Sequence, residues 1–505
     1  MKKTKILSFL VVTAILTSLL VGCAEKKTSV ATPKETDAPK RELKMLIPYQ
    51  PFDPNLDKSA LMMQELTGYK VNYFMLPQKN PDEKLMLEIS SGNDYDIIRV
   101  TPTQFGSLAA TNCLTEIDTL IDKYGANIQK NVPDYAWQAV TANNKKIGIP
   151  RRNTAATMKN AQGMLMGGVL VRTDLLAKLG LKMPTNIDEL TNMLKKFKEN
   201  GFIPLAGSSA IDATISSAFG FQTNDWYDVN NGLVPRIKMP GAKDYLTFMA
   251  NSYKDGLLDK DWPINKMENQ IQKFTTGKAA AMPCMFWDLP SVIPALEKNV
   301  PGATTQMMLP LYGEDGKQYL TIGKGSMDII DVIPKSAKNP IDAVKFCNLK
   351  ADSDIFLKTY LGKEGVSFKI ENGKYLPILP AFNDYANSNQ FTGVGDGNKV
   401  WAMWQARARK TPEMAAAYDQ LNAIVPTVAN GLHEDITPSA NLEAIRKNNA
   451  TLNQLESNFM IKVIAGAVPV SDIDKFITQW SQQGGADMEK AINDWYKQNQ
   501  DLKTK

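Results

Sequence analysis

His433 is the single imidazole in a chain of 505 residues, so a Ser-His-Asp hydrolase would have to use it as its base. No G-x-S-x-G elbow accompanies it. Its surroundings, Gly431, Leu432, His433, Glu434 and Asp435, read as a loop cap. Cys113, Cys284 and Cys347 are dispersed, and with one histidine they cannot make a zinc cluster. The run from Gly393 to Lys399 satisfies neither G-x-x-x-x-G-K nor G-x-G-x-x-G, and it reads as a flexible connection. Asp228, Asn230 and Gly232 have the wrong spacing for a calcium loop. Carboxylates, at 53, are too numerous to single out a glycosidase pair. The residue types therefore argue against catalysis and call for no cofactor and no metal.

Cys23 is the residue whose spacing does point to chemistry. Lys2, Lys3 and Lys5 precede an apolar stretch from Ile6 to Val21, and Leu20, Val21, Gly22, Cys23 close it. The lysines hold the N-terminus on the cytoplasmic side, and the stretch is short for a helix that must cross a bilayer with ~20 apolar residues. Small Gly22 exposes the backbone to a peptidase, and the thiol then accepts lipid of the palmitate type. The pattern resembles the lipobox of lipoprotein signal peptides. Residues 1–22 are thus expected to be a signal peptide and 23–41 a lipidated tether, because the latter is rich in Lys, Thr, Pro and acids with only Val30 as a sizeable apolar group. Such a chain would sit on the extracellular face of the cell membrane, held by lipid without spanning it.

Loss of the leader removes three lysines and no acid, which takes the formal net charge from +5 to +2. A near-neutral chain gives no reason to invoke nucleic acid. Roughly 465 residues remain beyond the tether, more than one core usually serves, so two lobes are expected. Without Cys23 the cysteines are odd in number and widely spaced, which makes a disulfide framework a poor fit. Nothing indicates oligomerisation, and a tethered monomer is the expectation.

The ordered part begins with alternating elements. Leu43–Ile47, Val71–Leu76 and Tyr95–Val100 read as strands, with helices over Ser59–Leu66 and Pro81–Ile89 between them. This order argues for a parallel sheet covered by helices. Ligands sit beyond the carboxyl ends of such strands, which singles out Tyr49, Gln50, Asp53, Thr101, Thr103 and Gln104. A second α/β region begins near Pro150. It holds the strand Gly168–Arg172, a helix from Asn186 to Gly201 with Ile187, Leu190, Leu194 and Phe197 on one face, and a helix over Met267–Gly277 leading to the strand Ala279–Met282.

Several runs, in order, resemble the extracellular solute-binding proteins of ABC importers, the family that includes maltose-binding protein and LipO-type lipoproteins. They are Ser91–Ile98, Asn112–Ile117, Lys146–Pro150, Arg172–Leu176 with Leu179–Leu181, Pro184–Leu190 and Gly277–Met282. Asn112, Cys113 and Lys146 depart from the family's usual residues. The resemblance covers roughly 42–365. It implies an α/β, two-lobed type II periplasmic-binding-protein fold with discontinuous lobes and an interlobe cleft. The first lobe would comprise 42–149 plus 326–392 and the second 150–325 plus 393–505. The implied function is capture of a small-molecule solute, foremost an oligosaccharide, and its presentation to ABC permease subunits.

A sugar site wants aromatic platforms among Asp, Asn, Gln and Arg, since sugars carry apolar faces and a rim of hydroxyls. Trp287, with Asp288, falls where the family places a stacking tryptophan; a core tryptophan is the competing reading. Asn224, Asp225 and Trp226 form a polar and aromatic cluster that suits ligand contact or interlobe packing. Trp401 and Trp404 share a helical face with Arg407. Arg151, beside Arg152, follows the crossing strand and would suit an acidic sugar if it points into the cleft; a solvated hinge pair is the alternative. Three other readings stay open: a surface-tethered lyase or glycosidase, a receptor for a peptide or other polar solute, and a structural or sensory lipoprotein.

Overall fold

Short apolar runs flanked by Gly, Pro and Asp build a five-stranded sheet at the start of the ordered chain. The computed structural model describes residues 41–152, 165–208, 212–221, 226–230, 232–323, 327–424, 432–435 and 442–499. The leader, Cys23 and the tether up to Lys40 lie outside these. Strands Glu42–Ile47, Lys70–Met75 and Ile97–Val100 are parallel, with Leu43 opposite Val71 and Met45 opposite Ile97. Their connections are the helices expected from the sequence. Asp57 caps Lys58–Thr67 by accepting from the Ser59 N–H, and Gly68 ends it at φ +73°. Pro81 opens Pro81–Ser90.

Two further strands complete it: Met327–Val332, which the sequence did not announce, runs antiparallel to the first three, and Ile149–Arg152, overlapping the expected crossing strand Lys146–Pro150, is antiparallel to Met327–Val332 and so parallel to the first three. Met327–Val332 pairs with Ile97–Val100, and Ile149–Arg152 lies at the outer edge. The sheet is therefore mixed. Its core draws on residues from Leu43 to Ile149 and again from Ile330 to Val394, with none described in between.

The intervening chain makes its own cores. Gly167–Arg172 is the middle of a three-stranded antiparallel sheet with Ala281–Met285 and Thr305–Met308 on its flanks. Asn186 caps the helix Ile187–Glu199 through the Glu189 N–H, and Leu190, Met193, Leu194 and Phe197 are its buried stripe. That stripe joins a core shared with Leu452–Tyr496 from the end of the chain. A second small sheet combines Leu320–Gly323, Leu432–Asp435 and the hairpin Trp226–Val229, Gly232–Pro235.

The return to the first core is held by charge. Arg99 is 1% exposed, Asp331 5% and Lys350 0%. Asp331 accepts from Arg99 Nε at 2.8 Å, Arg99 Nη2 at 2.9 Å and Lys350 Nζ at 2.7 Å. The other Arg99 donors reach the carbonyls of Gln390 and Thr392. Burial alone would raise the Asp331 carboxyl, but the Arg99 and Lys350 charges outweigh it and hold it well below the usual carboxylate range. The segment Gly393–Lys399 departs from the flexible connection expected of it. Thr392 and Val394 are buried, and a Cβ on Gly395 would strike the Phe356 ring.

Because the folded pKa of Asp331 is depressed below the ~3.9 of an unfolded aspartate, its stabilisation is present at neutral pH and is lost as pH falls through the folded value. Urea midpoints should therefore drop below pH ~4. Asp331→Asn strands two buried cations and should cost ~3–5 kcal/mol at neutral pH by chemical denaturation. An unchanged midpoint would refute a structural role for the cluster.

Candidate functional site

Trp287 lies on the single turn Phe286–Asp288 that follows the strand Ala281–Met285. Strand pairing to Gly167–Arg172 fixes the end of that strand, and the Phe286 N–H donates to the Met166 carbonyl at 2.9 Å. The turn buries Phe286 to 1% exposure and leaves Trp287 at 45%. A half-exposed indole on a rigid turn is what a stacking surface requires.

A second indole completes the surface. Trp404, on the helix Gly397–Arg407, stacks with Trp287 at 6.5 Å between centroids and 23° between planes. Phe286 is their floor, edge-on to Trp287 at 5.1 Å, Trp404 at 6.0 Å and Tyr418 at 5.4 Å. Asp288 accepts from the Met285 N–H at 3.2 Å. Burial raises its carboxyl and that hydrogen bond lowers it, with a net rise. It retains acceptor capacity beside the platform for hydroxyl donors. Cys284 is no nucleophile, since burial and then Asp288 push its thiol up to about 12.

The loops of the five-stranded sheet supply polar groups already in use. Gln50 Nε2 donates to Gln390 Oε1 at 3.2 Å and to the Pro48 carbonyl at 3.3 Å. Arg151 pairs with Asp328 at 3.1 and 2.7 Å and donates to the Asn389 carbonyl at 2.6 Å, so its charge is matched. Thr101 and Gln104 form the capping box of Pro102–Ala110, and Gln104 also donates to Asp82 at 2.7 Å. Asp53 holds the turn through the Asn55 N–H at 2.9 Å. Tyr49, at 44% exposure, and Thr103 remain presented to solvent.

Trp226 needs correcting. It is 4% exposed and packs in the core of the second region, because its hairpin pairs it with Pro235. A ring so placed offers no face to a ligand. Asn224 and Asp225, and the side chain of Trp401, lie outside the described residues. Phe286 and Tyr418 were not foreseen as partners of Trp287; the neighbour Phe286 was visible, whereas nothing in sequence links Tyr418 to it. A separate concavity of about 870 Å³, walled by Asp188, Phe219, Asp244, Tyr312 and Asp315, does not include the paired indoles. Among the described residues no three His, Cys, Asp or Glu side chains are grouped to hold a metal, and no helix is long and apolar enough to cross a membrane.

The model of a family described as bacterial extracellular solute-binding protein matches residues 60–367. The chain is 37% identical over 256 residues to an uncharacterised protein in the butB 5' region of Niallia circulans, covering 50% of this chain and 98% of that one. It is 22% identical to the polygalacturonan/rhamnogalacturonan-binding protein YtcQ of Bacillus subtilis, over 98% of this chain and 99% of that protein. Among solved structures it is similar to an EF-hand mutant of the S. pneumoniae ABC-transporter substrate-binding protein FusA in complex with fructo-nystose, with a TM-score of 0.70 at 19% identity over 92% of this chain and 100% of that one. The likeness gives the fold: α/β and two-lobed, of the periplasmic binding-protein type.

Two tryptophans with opposite surroundings can be compared directly. Trp226→Ala should cost ~3–5 kcal/mol of stability and Trp287→Ala less than ~1 kcal/mol, by chemical denaturation. Equal losses would place Trp287 in the core.

Proposed function

Because the chain belongs to the bacterial extracellular solute-binding proteins, we propose that it is the receptor of an ABC importer and captures an oligosaccharide in the cleft between its lobes. The observation that carries this is the near-parallel pair Trp287 and Trp404, one of them 45% exposed, with the Asp288 carboxylate alongside. Parallel indoles offer apolar faces to sugar rings, and a carboxylate accepts from ring hydroxyls. YtcQ and FusA, by their names a polysaccharide-binding and a fructooligosaccharide transport protein, support the same ligand class.

The lobes of this reading are 42–149 plus 326–392 and 150–325 plus 393–505. Core membership supports the break after 149, since the first core stops at Ile149 and resumes at Ile330; that core runs on to Val394, and Val400–Ala406 share a core with Phe356–Phe382, so the helix carrying Trp404 packs on the first lobe's return segment. A ligand touching both lobes favours the closed form by the difference in contacts, and closure is what the permease would recognise. Tyr49, Asp53, Thr101 and Thr103 are the exposed candidates on the first lobe. Lipid on Cys23 keeps the monomer at the membrane; replacing Cys23 by Ser should release it into the medium, detectable by fractionation.

The functional test is a thermal-shift screen of oligosaccharides followed by a cleavage assay on each ligand found. A bound, intact sugar is expected. Degradation of the ligand would overturn the receptor reading in favour of a tethered enzyme. With a ligand in hand, Trp287→Ala should weaken binding by ~1–3 kcal/mol by calorimetry.

A further inference from the structure

Most of the arginines whose side chains are described are matched to carboxylates. Arg99 pairs with Asp331, Arg151 with Asp328, Arg172 with Asp174, Arg236 with Glu456 and Arg409 with Asp419. Arg407 breaks this pattern. Its Nη2 is shared among the Tyr385 carbonyl at 3.1 Å, the Ala386 carbonyl at 3.2 Å and Ser388 Oγ at 2.7 Å, while its guanidinium lies 5.0 Å from the Tyr360 ring centre. Its Nε is buried without a hydrogen-bond partner. No carboxylate faces it in an ion pair among the described residues.

A second cation stands beside it. Lys410 is half-buried with its ammonium 5.5 Å from the Phe382 ring centre, and no ion pair joins it to an acid among the described residues. Both cations pack on the turn Ala381–Tyr385, one over Phe382 and the other on the Tyr385 carbonyl. Asp384 on that turn is exposed and forms an ion pair with neither. Burial, and then the Arg407 charge, push the Lys410 ammonium below the usual lysine range, as expected where positive charge lacks a counter-ion. Arg407 is also one helical turn beyond Trp404 on the same helix, which brings the cationic side to the end of the helix that carries one of the two indoles.

An unpaired buried donor and two neighbouring uncompensated cations are costly unless something else supplies the negative charge. We propose that the ligand supplies it: the oligosaccharide is acidic, and a uronate carboxylate is received at Arg407 and Lys410 beside the Trp287–Trp404 platform. This rests on the receptor reading above. It places acid recognition away from Arg151, whose charge Asp328 already neutralises.

The test is calorimetry on the full-length chain in detergent with oligogalacturonides and oligoalginates, their methyl esters, and neutral malto- and fructo-oligosaccharides. Free acids should bind about tenfold or more tightly than their esters, with the advantage shrinking as salt rises. Lys410→Met should lower affinity for the free acid about tenfold and for the ester less. Arg407→Lys, checked by thermal melting, adds a second probe; if it unfolds, Lys410→Met alone decides. Binding confined to neutral sugars, equal affinity for acid and ester, or acid binding indifferent to Lys410→Met overturns the acidic-ligand inference and leaves the receptor reading standing. No binding of any oligosaccharide overturns both.

Discussion

Asp331 is the point on which the architecture turns. It lies on a strand that reaches the first sheet only after the chain has built another region, and it meets Arg99 of the third strand and Lys350 of the following helix with almost no water nearby. Two cations around one carboxylate leave a net positive charge in the interior. Arg99 disperses that charge onto the carbonyls of Gln390 and Thr392. A buried ion cluster of this kind adds less stability than a well-packed apolar one would, but losing a single member is severe. Its value is positional: the cluster accepts only one arrangement of strand, helix and returning chain.

The returning chain is the shared support of both candidate walls. Arg99 grips it at Gln390 and Thr392, Arg151 at Asn389, Gln50 at Gln390 and Arg407 at Tyr385 through Ser388. Arg407 belongs to the helix that carries Trp404. The position of one indole is thereby tied, through a few backbone carbonyls, to the charge cluster of the first sheet. The other indole is tied to a different sheet, through the turn after Ala281–Met285. Stacking of Trp287 on Trp404 joins these two supports, and any ligand lying on the pair touches elements anchored in both.

What could be read from sequence follows the range of the forces involved. Caps and periodic stripes are local, so the Asn186 helix was read from its pattern, as were the first three strands, whereas Thr101 and Gln104, expected at a ligand, form the capping box of a helix. The strand Met327–Val332 was invisible because its partners lie between 175 and 234 positions earlier, and a short apolar run does not announce its neighbour. Trp226 and Trp287 show the same limit from the side of function. Both sit beside an aspartate in the sequence, yet a hairpin pairing buries one and a one-turn break after a strand exposes the other. Gly395 looked like slack chain in a glycine-rich run, and it is small because Phe356 presses against it.

The charge of the mature chain bears on how a ligand would be chosen. A chain at +2 after loss of its leader generates little long-range field, so attraction cannot come from the molecule as a whole. It must come from groups close enough to act inside the ~8–10 Å over which salt leaves charges unscreened. Around the platform those groups oppose one another. The Asp288 carboxylate disfavours further negative charge near Trp287 by like-charge repulsion, whereas the Arg407 and Lys410 side attracts it. A ligand lying along the pair would be read in one direction, hydroxyl-rich end to Asp288 and charged end to the cations, and a neutral molecule would leave the cationic end uncompensated.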